Sequence, residues 1–222
     1  MANFFNKLGS ALGAVAFIAL TACAYHQYSE VQSLNANRPP TLTQLQDSVV
    51  KVKTQYGICS GWIDKKSHKV LTAAHCFDYQ DGDAIVTFNN GEQHLYHTEK
   101  ITTDPSATKT DHATLVQKNA TELIKYPVGL PICAHKPYYG EPIVEMGNPL
   151  NVDKVMYFGN IANPDSELGI ITDLSMFPGN SGGPIIDENE GCVIGSSELG
   201  QLAAPGSGIP YGINYAAPVD NF

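Results

Sequence analysis

A single serine between glycines is the segment of this sequence best suited to chemistry. Residues 177–184 read Phe-Pro-Gly-Asn-Ser-Gly-Gly-Pro, with the serine at position 181. Glycines on both sides let the backbone approach a substrate closely and adopt turns that a Cβ would forbid. Acyl transfer requires a hydroxyl that projects into a cleft beside free backbone N–H groups. The segment therefore predicts Ser181 as a nucleophile, with the N–H groups of Gly179 and Ser181 as an oxyanion hole.

A serine is a poor nucleophile alone, so this hypothesis requires a general base and an acid elsewhere in the chain. His75 ends an apolar strand-like segment, Val-Leu-Thr-Ala-Ala-His, and its ordinary pKa suits proton transfer near neutral pH. Asp111 opens the segment Asp-His-Ala-Thr-Leu-Val and would orient the imidazole. Asp104 and Asp83 are rival acids. Asp104 precedes a proline and lacks the following Ala-x-Leu pattern, so we favour Asp111.

Together, LTAAHC, the Asp-x-Ala-x-Leu-Val segment and GNSGGP resemble the trypsin/chymotrypsin-like serine proteases. The chain order His, Asp, Ser supports the resemblance, because unrelated folds with the same triad use other orders. Residues 172–181 and 211–218 resemble the bacterial HtrA/Deg branch, and the resemblance spans about residues 45–220. It implies a serine endopeptidase that forms an acyl-enzyme and needs no cofactor. We find no PDZ-like sequence after residue 218, and the oligomeric state stays open.

Short strand-like segments separated by Gly, Pro and Asn recur from residue 48 onward, with almost no helical periodicity. This pattern of short strands and turns predicts an all-β fold, although composition alone does not distinguish barrels from a sandwich. The resemblance implies two six-stranded Greek-key β-barrels with the triad in the crevice between them. We expect a protease domain at 45–222, with barrel 1 at about 45–122 and barrel 2 at about 131–222. The boundary should fall near residues 118–131.

The N-terminus has the pattern of an export signal. Lys7 precedes an apolar run from Leu8 to Leu20, which is too short to span a bilayer comfortably. The sequence LTAC that follows this run resembles the lipobox of bacterial lipoproteins, in which Cys23 becomes the lipidated first residue. An ordinary export signal with a cysteine near its cleavage point is the alternative. We expect a signal peptide at 1–23, a tether at 24–44, and a periplasmic or cell-surface protein whose membrane contact is that anchor.

Four cysteines remain when Cys23 is set aside, and they allow three pairings. Export makes disulfides plausible. The spacing of Cys59 and Cys76 resembles the histidine-loop disulfide of the family, which implies that these two residues are bonded. Cys133 and Cys192 are then left, either as a second disulfide or as two buried free thiols.

The resemblance also indicates a substrate pocket. Ser175 lies six residues before Ser181, where trypsins carry the acid that binds Lys or Arg. An uncharged floor disfavours a basic P1 residue, because a buried cation needs a partner. We therefore expect a small-to-medium apolar P1 residue. The alignment gives these wall residues: Ser197, Glu198, Leu199 and Gly212. If Glu198 points into the pocket, a preference for basic P1 residues returns.

The net charge and the spacing of the histidines argue against nucleic-acid binding and against a metal site. The formal net charge of −9 argues against general nucleic-acid binding, since phosphate backbones favour a basic surface. His94 and His97 would point to opposite faces of a strand, so we expect no metal site there. We interpret them as surface histidines, together with His68, His112 and His135.

Three functions remain compatible with the sequence. The leading hypothesis is an exported serine endopeptidase that acts on proteins or peptides. A protease-fold lipoprotein that binds peptides or partner proteins without turnover is an alternative from a different class. Such proteins usually lose a triad residue, whereas this chain keeps all three. An esterase would use the same triad and the same oxyanion chemistry.

Overall fold

A computed structural model of the protein describes residues 41–104, 107–118, 129–198 and 214–219. The expected signal peptide at 1–23, with Cys23, and the expected tether up to residue 40 lie outside these residues, as does most of the expected boundary at 118–131. Among the described residues, no helix has the length and apolar character needed to cross a membrane.

The described residues contain two six-stranded β-barrels. Barrel 1 consists of β1 (Val49–Lys53), β2 (Ile58–Ile63), β3 (Val70–Thr72), β4 (Asp83–Thr87), β5 (Gln93–Asp104) and β6 (Ala107–Gln117). Barrel 2 consists of β7 (Pro142–Gly147), β8 (Val155–Ser166), β9 (Gly169–Thr172), β10 (Pro184–Asp187), β11 (Val193–Glu198) and β12 (Asn214–Pro218).

Both barrels are closed antiparallel sheets. The order of strands is β1-β2-β3-β6-β5-β4 in barrel 1 and β10-β11-β12-β9-β8-β7 in barrel 2. In each barrel the last strand in this order pairs with the first, which leaves no open sheet edge. Strand β3 pairs with β6 rather than with β4, which is the crossover of a Greek key. The prediction of an all-β fold with two six-stranded barrels is confirmed.

A buried apolar cluster joins the two barrels. It combines Trp62 and Leu71 of barrel 1 with Val144 and Ile186 of barrel 2, all of them almost fully buried. Every residue of β3, β10 and β11 is buried. Fully burying one large apolar side chain contributes about 1.5–3 kcal/mol, so this cluster holds the barrels in a fixed orientation.

A short helix precedes barrel 1. Helix α1 (Leu42–Gln46) begins with a capping box, in which the Gln44 N–H donates to the Thr41 hydroxyl and the Thr41 N–H donates to Gln44 Oε1. These bonds satisfy backbone donors that a helix leaves free at its start. Leu45 of this helix is buried in the cluster between the barrels.

Two disulfides are present in the described part of the chain. One joins Cys59 on β2 to Cys76, with a Cα–Cα distance of 6.3 Å. The other joins Cys133 to Cys192, which lies just before β11, with a Cα–Cα distance of 4.9 Å. The sequence left this second pair open between a disulfide and two free thiols, and the structure contains the disulfide.

Candidate active site

His75 lies in a one-turn 3₁₀ helix, Ala74–Phe77, directly after β3. The turn ends at Asp78, which has a left-handed backbone conformation with φ of 53°. Strand β3 pairs with β6 in the register Thr72 to Ala113, two residues from Asp111. Barrel 1 alone therefore brings the candidate base next to the candidate acid.

Asp111 contacts His75 at two points. The His75 backbone N–H donates to Asp111 Oδ1 at 2.8 Å, and the His75 Nδ1 atom pairs with Asp111 Oδ2. An ionised carboxylate only accepts hydrogen bonds, so Nδ1 carries the hydrogen and Nε2 is left as the basic nitrogen. The Asp111 side chain is 9% exposed and that of His75 is 28% exposed. The basic nitrogen Nε2 thus belongs to a partly exposed imidazole, whose other nitrogen is bound by a buried acid.

Ser181 lies in a tight turn that β2 holds in place. The Ser60 N–H donates to the Ser181 carbonyl oxygen at 2.8 Å, and the Ser60 hydroxyl donates to the Gly179 carbonyl oxygen at 2.7 Å. The Asn148 N–H donates to the Ser60 hydroxyl oxygen at 2.8 Å. Ser60 therefore fixes the turn of barrel 2 to a strand of barrel 1.

Gly182 gives this turn its closest contact with the histidine segment. Its φ is +81°, and a Cβ at this position would lie 2.6 Å from the Ala73 nitrogen and 2.6 Å from the Ser60 oxygen. Such distances are far inside van der Waals contact, so only glycine fits without movement. Gly182 follows Ser181 and Ala73 precedes His75 by two residues, so the turn that carries Ser181 lies against the segment that leads to His75.

The backbone N–H groups of the turn divide into two sets. Those of Asn180, Gly182 and Gly183 donate to carbonyl oxygens at 2.7 to 3.0 Å. Those of Gly179 and Ser181 donate to no residue that the structure describes. Gly179 has φ of +103°, a conformation that favours glycine. Two unused donors on either side of Asn180 are what an oxyanion hole requires.

A buried glutamate, Glu145, binds the side chain of Asn180 in this turn. It was not predicted from the sequence. Asn180 Nδ2 donates to Glu145 Oε2 at 3.0 Å, and both side chains are fully buried. Burial raises the pKa of Glu145 to about 8, and the Ser197 hydroxyl and the Asn180 amide offset part of that effect. An acid inside the apolar segment Pro-Ile-Val-Glu-Met was the signal that could have identified it.

The residues expected to form a substrate pocket are only partly described. Ser175 is exposed, and Ser197 is buried with its hydroxyl 3.3 Å from Met176 Sδ. Glu198 is buried at the end of β11, where it interacts electrostatically with Asp111. Leu199 and Gly212 lie outside the described residues. The composition of the pocket therefore stays a prediction.

The other histidines differ in their surroundings. His97 is exposed, and its Nδ1 atom lies 2.9 Å from Asp83 Oδ1. The interpretation as a surface residue is wrong for His112, which is buried. Its ring donates a hydrogen bond from Nε2 to the Pro218 carbonyl oxygen at 2.9 Å.

His135 lies among acidic side chains, a combination that could also bind a metal ion. Its Nε2 atom is 3.0 Å from Glu141 Oε1 and 3.5 Å from Asp187 Oδ2. The hydrogen bond to Glu141 raises the pKa of His135. The other oxygens of these two buried acids already accept backbone N–H groups, from Tyr138 and Asn189. When His135 is protonated, it forms ion pairs with Glu141 and Asp187.

Known proteins share this architecture. A sequence model of the trypsin-like peptidase domain matches residues 59–195. The chain is 28% identical over 176 residues to HhoA, described as a serine protease of Synechocystis sp., which covers 73% of this chain and 42% of that protein. The chain thus spans less than half the length of this curated relative.

Solved structures agree with the sequence match. The serine endoprotease of Yersinia pestis superposes with a TM-score of 0.61 at 27% identity, over 81% of this chain and 63% of that one. The inactive form of the Rv3671c protease superposes with a TM-score of 0.61 at 19% identity, over 82% of this chain and 88% of that one. This second likeness concerns the fold alone. With its two closed barrels, its His75–Asp111 pair and the family match over residues 59–195, the chain belongs to the trypsin-like peptidase family.

Proposed function

We propose that this protein is a serine endopeptidase in which Ser181 is the nucleophile, His75 the general base and Asp111 the orienting acid. The two-point contact of Asp111 with His75, beside the turn that carries Ser181, is the observation that supports it most directly. Family membership supports the same class of activity.

The proposed reaction follows from the geometry of the base. His75 Nε2 takes the proton of the Ser181 hydroxyl as its oxygen attacks the peptide carbonyl carbon. The N–H groups of Gly179 and Ser181 hold the negative oxygen of the tetrahedral intermediate. His75 then gives its proton to the leaving amine, which leaves an acyl-enzyme at Ser181. Water then gives a proton to His75 Nε2 as its oxygen attacks the acyl carbon. The ester bond to the Ser181 oxygen breaks, the carboxylic acid leaves, and His75 returns the proton to Ser181.

Asp111 contributes orientation and charge. Its Oδ2 atom fixes the Nδ1–H tautomer of His75, and its negative charge stabilises the imidazolium that forms during attack. Its Oδ1 atom also binds the backbone of the same residue, so the imidazole and its backbone are held by one carboxylate.

Substrate choice and location form a second part of the proposal. We infer protein or peptide substrates with a small-to-medium apolar P1 residue. The proposed pocket includes Ser175, Ser197, Glu198, Leu199 and Gly212. We also infer export to the periplasm or cell surface, with Cys23 as the lipidated first residue. Mass spectrometry of the mature N-terminus tests the anchor, because an unmodified terminus downstream of Cys23 contradicts it.

Labelling with a fluorophosphonate probe tests the catalytic proposal. The parent protein and the surface control Ser166→Ala should be labelled, whereas Ser181→Ala should not. The Ser181→Ala protein should keep the parent's melting temperature and lose turnover by about 10⁴- to 10⁶-fold. Failure to label the folded, disulfide-intact parent would instead favour a protein that binds peptides without turnover. Comparing kcat/KM on matched peptide and ester substrates distinguishes an endopeptidase from an esterase.

A further inference from the structure

Asn180 is the residue between the two proposed oxyanion donors, the N–H groups of Gly179 and Ser181. Its side chain is fully buried, which for a polar amide requires a hydrogen-bond partner. That partner is Glu145 of β7, whose Oε2 atom accepts a hydrogen bond from Asn180 Nδ2 at 3.0 Å and which is fully buried as well. A buried hydrogen bond at this position in the turn indicates a role in holding the two donors.

Strand β7 provides both the acceptor and the space for this side chain. Glu145 and Gly147 are two residues apart, so they face the same side of the strand. A Cβ added to Gly147 would lie 3.1 Å from Asn180 Oδ1 and 2.9 Å from Ser60 Oγ. Glycine at 147 therefore leaves room for the Asn180 amide, while Glu145 binds it.

Other contacts hold the backbone on both sides of Asn180. The Leu150 N–H donates to the Pro178 carbonyl oxygen at 2.7 Å, and the Gly183 N–H donates to the Asn180 carbonyl oxygen at 2.8 Å. Each of these carbonyls shares its peptide unit with one proposed oxyanion N–H. Because a trans peptide is planar and its C=O and N–H point in opposite directions, each bond turns that N–H away from the bound carbonyl. Asn180 lies between the two peptide units, so a fixed side chain restricts how one can rotate relative to the other.

We propose that Glu145 is a positioning residue, which acts through the Asn180 amide to keep the N–H groups of Gly179 and Ser181 aimed at the oxyanion. This inference rests on the proposed function, because it assumes that Ser181 forms a tetrahedral intermediate. The role does not depend on the charge of Glu145, since Oε2 accepts a hydrogen bond either as a carboxylate oxygen or as a carbonyl oxygen.

Loss of the Glu145 acceptor should disturb the oxyanion donors. A buried amide without an acceptor is costly, so the Asn180 side chain would turn to another partner and shift the backbone on both sides of it. Removing one oxyanion donor outright lowers kcat by about 10²- to 10³-fold. Misaligned donors should cost less, about 10- to 100-fold, because both N–H groups are still present.

Three variants and one control test this role. Glu145→Met replaces the carboxyl group by a straight chain of similar length that accepts hydrogen bonds only weakly, whereas Glu145→Gln keeps an oxygen acceptor. Asn180→Ala removes the donor. Leu45→Ala, in the buried cluster between the barrels, is the control for a loss of stability alone.

The readouts are kcat, KM and the pKa of the hemiacetal that a peptide aldehyde forms with Ser181. The serine oxygen adds to the aldehyde carbon, and its proton passes to the former carbonyl oxygen, which occupies the proposed oxyanion hole. ¹³C NMR of an aldehyde labelled at this carbon follows the ionisation of that oxygen. Misaligned donors stabilise the anion less and raise the hemiacetal pKa, whereas a protein that is only less stable keeps the parent's pKa.

We expect Glu145→Met to lower kcat by about 10- to 100-fold with KM nearly unchanged, and to raise the hemiacetal pKa by about 1 to 2. Glu145→Gln should keep most of the parent's kcat. Asn180→Ala should match Glu145→Met, and the two changes together should cost no more than either alone, because both remove the same bond. Leu45→Ala should lower the melting temperature and leave the hemiacetal pKa where it is in the parent.

Two outcomes would overturn the proposal. A Glu145→Met protein that is less stable but keeps the parent's hemiacetal pKa would give Glu145 a structural role only. Additive losses in Glu145→Met and Asn180→Ala would show that Glu145 does not act through Asn180. If Glu145→Met does not fold, the hemiacetal pKa of Asn180→Ala decides in its place. A parent that forms no hemiacetal and resists the fluorophosphonate probe would instead refute the proposed function, and this inference with it.

Discussion

Gly182 lies against the backbone of Ala73, so that a Cβ added to the glycine would come within 2.6 Å of the alanine nitrogen. The two residues belong to different barrels. Each is within two positions of a proposed catalytic residue, Ser181 in one barrel and His75 in the other. The contact therefore holds the turn that carries Ser181 against the segment that leads to His75.

Replacing Gly182 by alanine should disrupt both stability and activity. Alanine is strained at φ of +81°, by about 1–2 kcal/mol, and its Cβ would overlap the backbone of Ala73 and Ser60, which adds about 1–3 kcal/mol. Denaturant unfolding and peptide hydrolysis measure the two effects. Gly91→Ala is the matched control, because its φ is +87° and a Cβ there meets nothing within 4 Å. Equal losses in the two variants would refute the close contact.

Asp111→Asn should preserve the fold and lose activity by about 10⁴-fold. The asparagine oxygen can still accept the His75 backbone N–H, but its amide would donate to Nδ1 and place the imidazole hydrogen on Nε2. That tautomer has no basic nitrogen for Ser181. The measurement is kcat/KM at neutral pH, with circular dichroism as a check of folding.

The control for this substitution is Asp83→Asn, which alters the exposed His97–Asp83 pair of barrel 1. Its kcat/KM should stay within about 2-fold of the parent, since exposed ion pairs contribute little. Asp83 was a rival acid in the sequence. A large loss in Asp83→Asn with little loss in Asp111→Asn would reverse the assignment.

Glu145 should make the protein less stable as pH rises from about 4.5 to 8. Its pKa is about 8 in the folded state and about 4.5 in the unfolded chain, so in this window the unfolded chain has released a proton that the folded chain keeps. The free energy of unfolding then decreases with pH. Glu145→Gln should remove this part of the slope, because glutamine can still accept from Asn180 but does not titrate.

Melting temperatures of the parent and Glu145→Gln between pH 4.5 and 8 test this expectation. The two proteins should be closest at the acidic end, with the variant the more stable at pH 8. Glu198 contributes a slope of the same sign, so Glu145→Gln should flatten the curve without levelling it. The exposed Glu167→Gln is the control and should follow the parent. Parallel curves for the parent and Glu145→Gln would contradict a neutral, buried Glu145.

The two disulfides should differ in their effect on activity. Replacing Cys59 and Cys76 by alanine opens a loop of 17 residues and should cost about 3 kcal/mol, whereas replacing Cys133 and Cys192 opens one of 59 and should cost about 4 kcal/mol. Only the first pair adjoins His75, so only its removal should lower kcat under conditions where both variants are folded. Similar kcat values for the two variants would show that the first disulfide does not position the base.

Local patterns account for what could be predicted from the sequence. The alternating burial of β4 follows from strand geometry, in which successive side chains point to opposite faces. Glycine next to Ser181 and the apolar segment before His75 are signals within a few residues of the group they concern. Such signals are readable because turn conformation and side-chain period depend on the nearest neighbours.

Contacts between residues far apart in the chain could not be predicted from the sequence. The sequence of β6 does not indicate that His112 is buried. In the structure its ring donates a hydrogen bond to the Pro218 carbonyl oxygen of barrel 2. Glu145 and Asn180 are 35 residues apart, and only the pairing of β7 with β10 brings their segments together. The second disulfide was undecided for the same reason, since a distance between two cysteines in space is not encoded by their spacing along the chain.

The sequence by itself determined the class of fold, the chain order of the three candidate catalytic side chains and the glycine-rich turn around one of them, because each depends on residues close together in the chain. Only the tertiary structure decided that Glu145 lies beneath that turn. The reason is physical: the ionisation of a carboxyl group depends on what surrounds it. For Glu145 those surroundings include Asn180 and Ser197, which folding of the second barrel brings to it from distant positions in the chain.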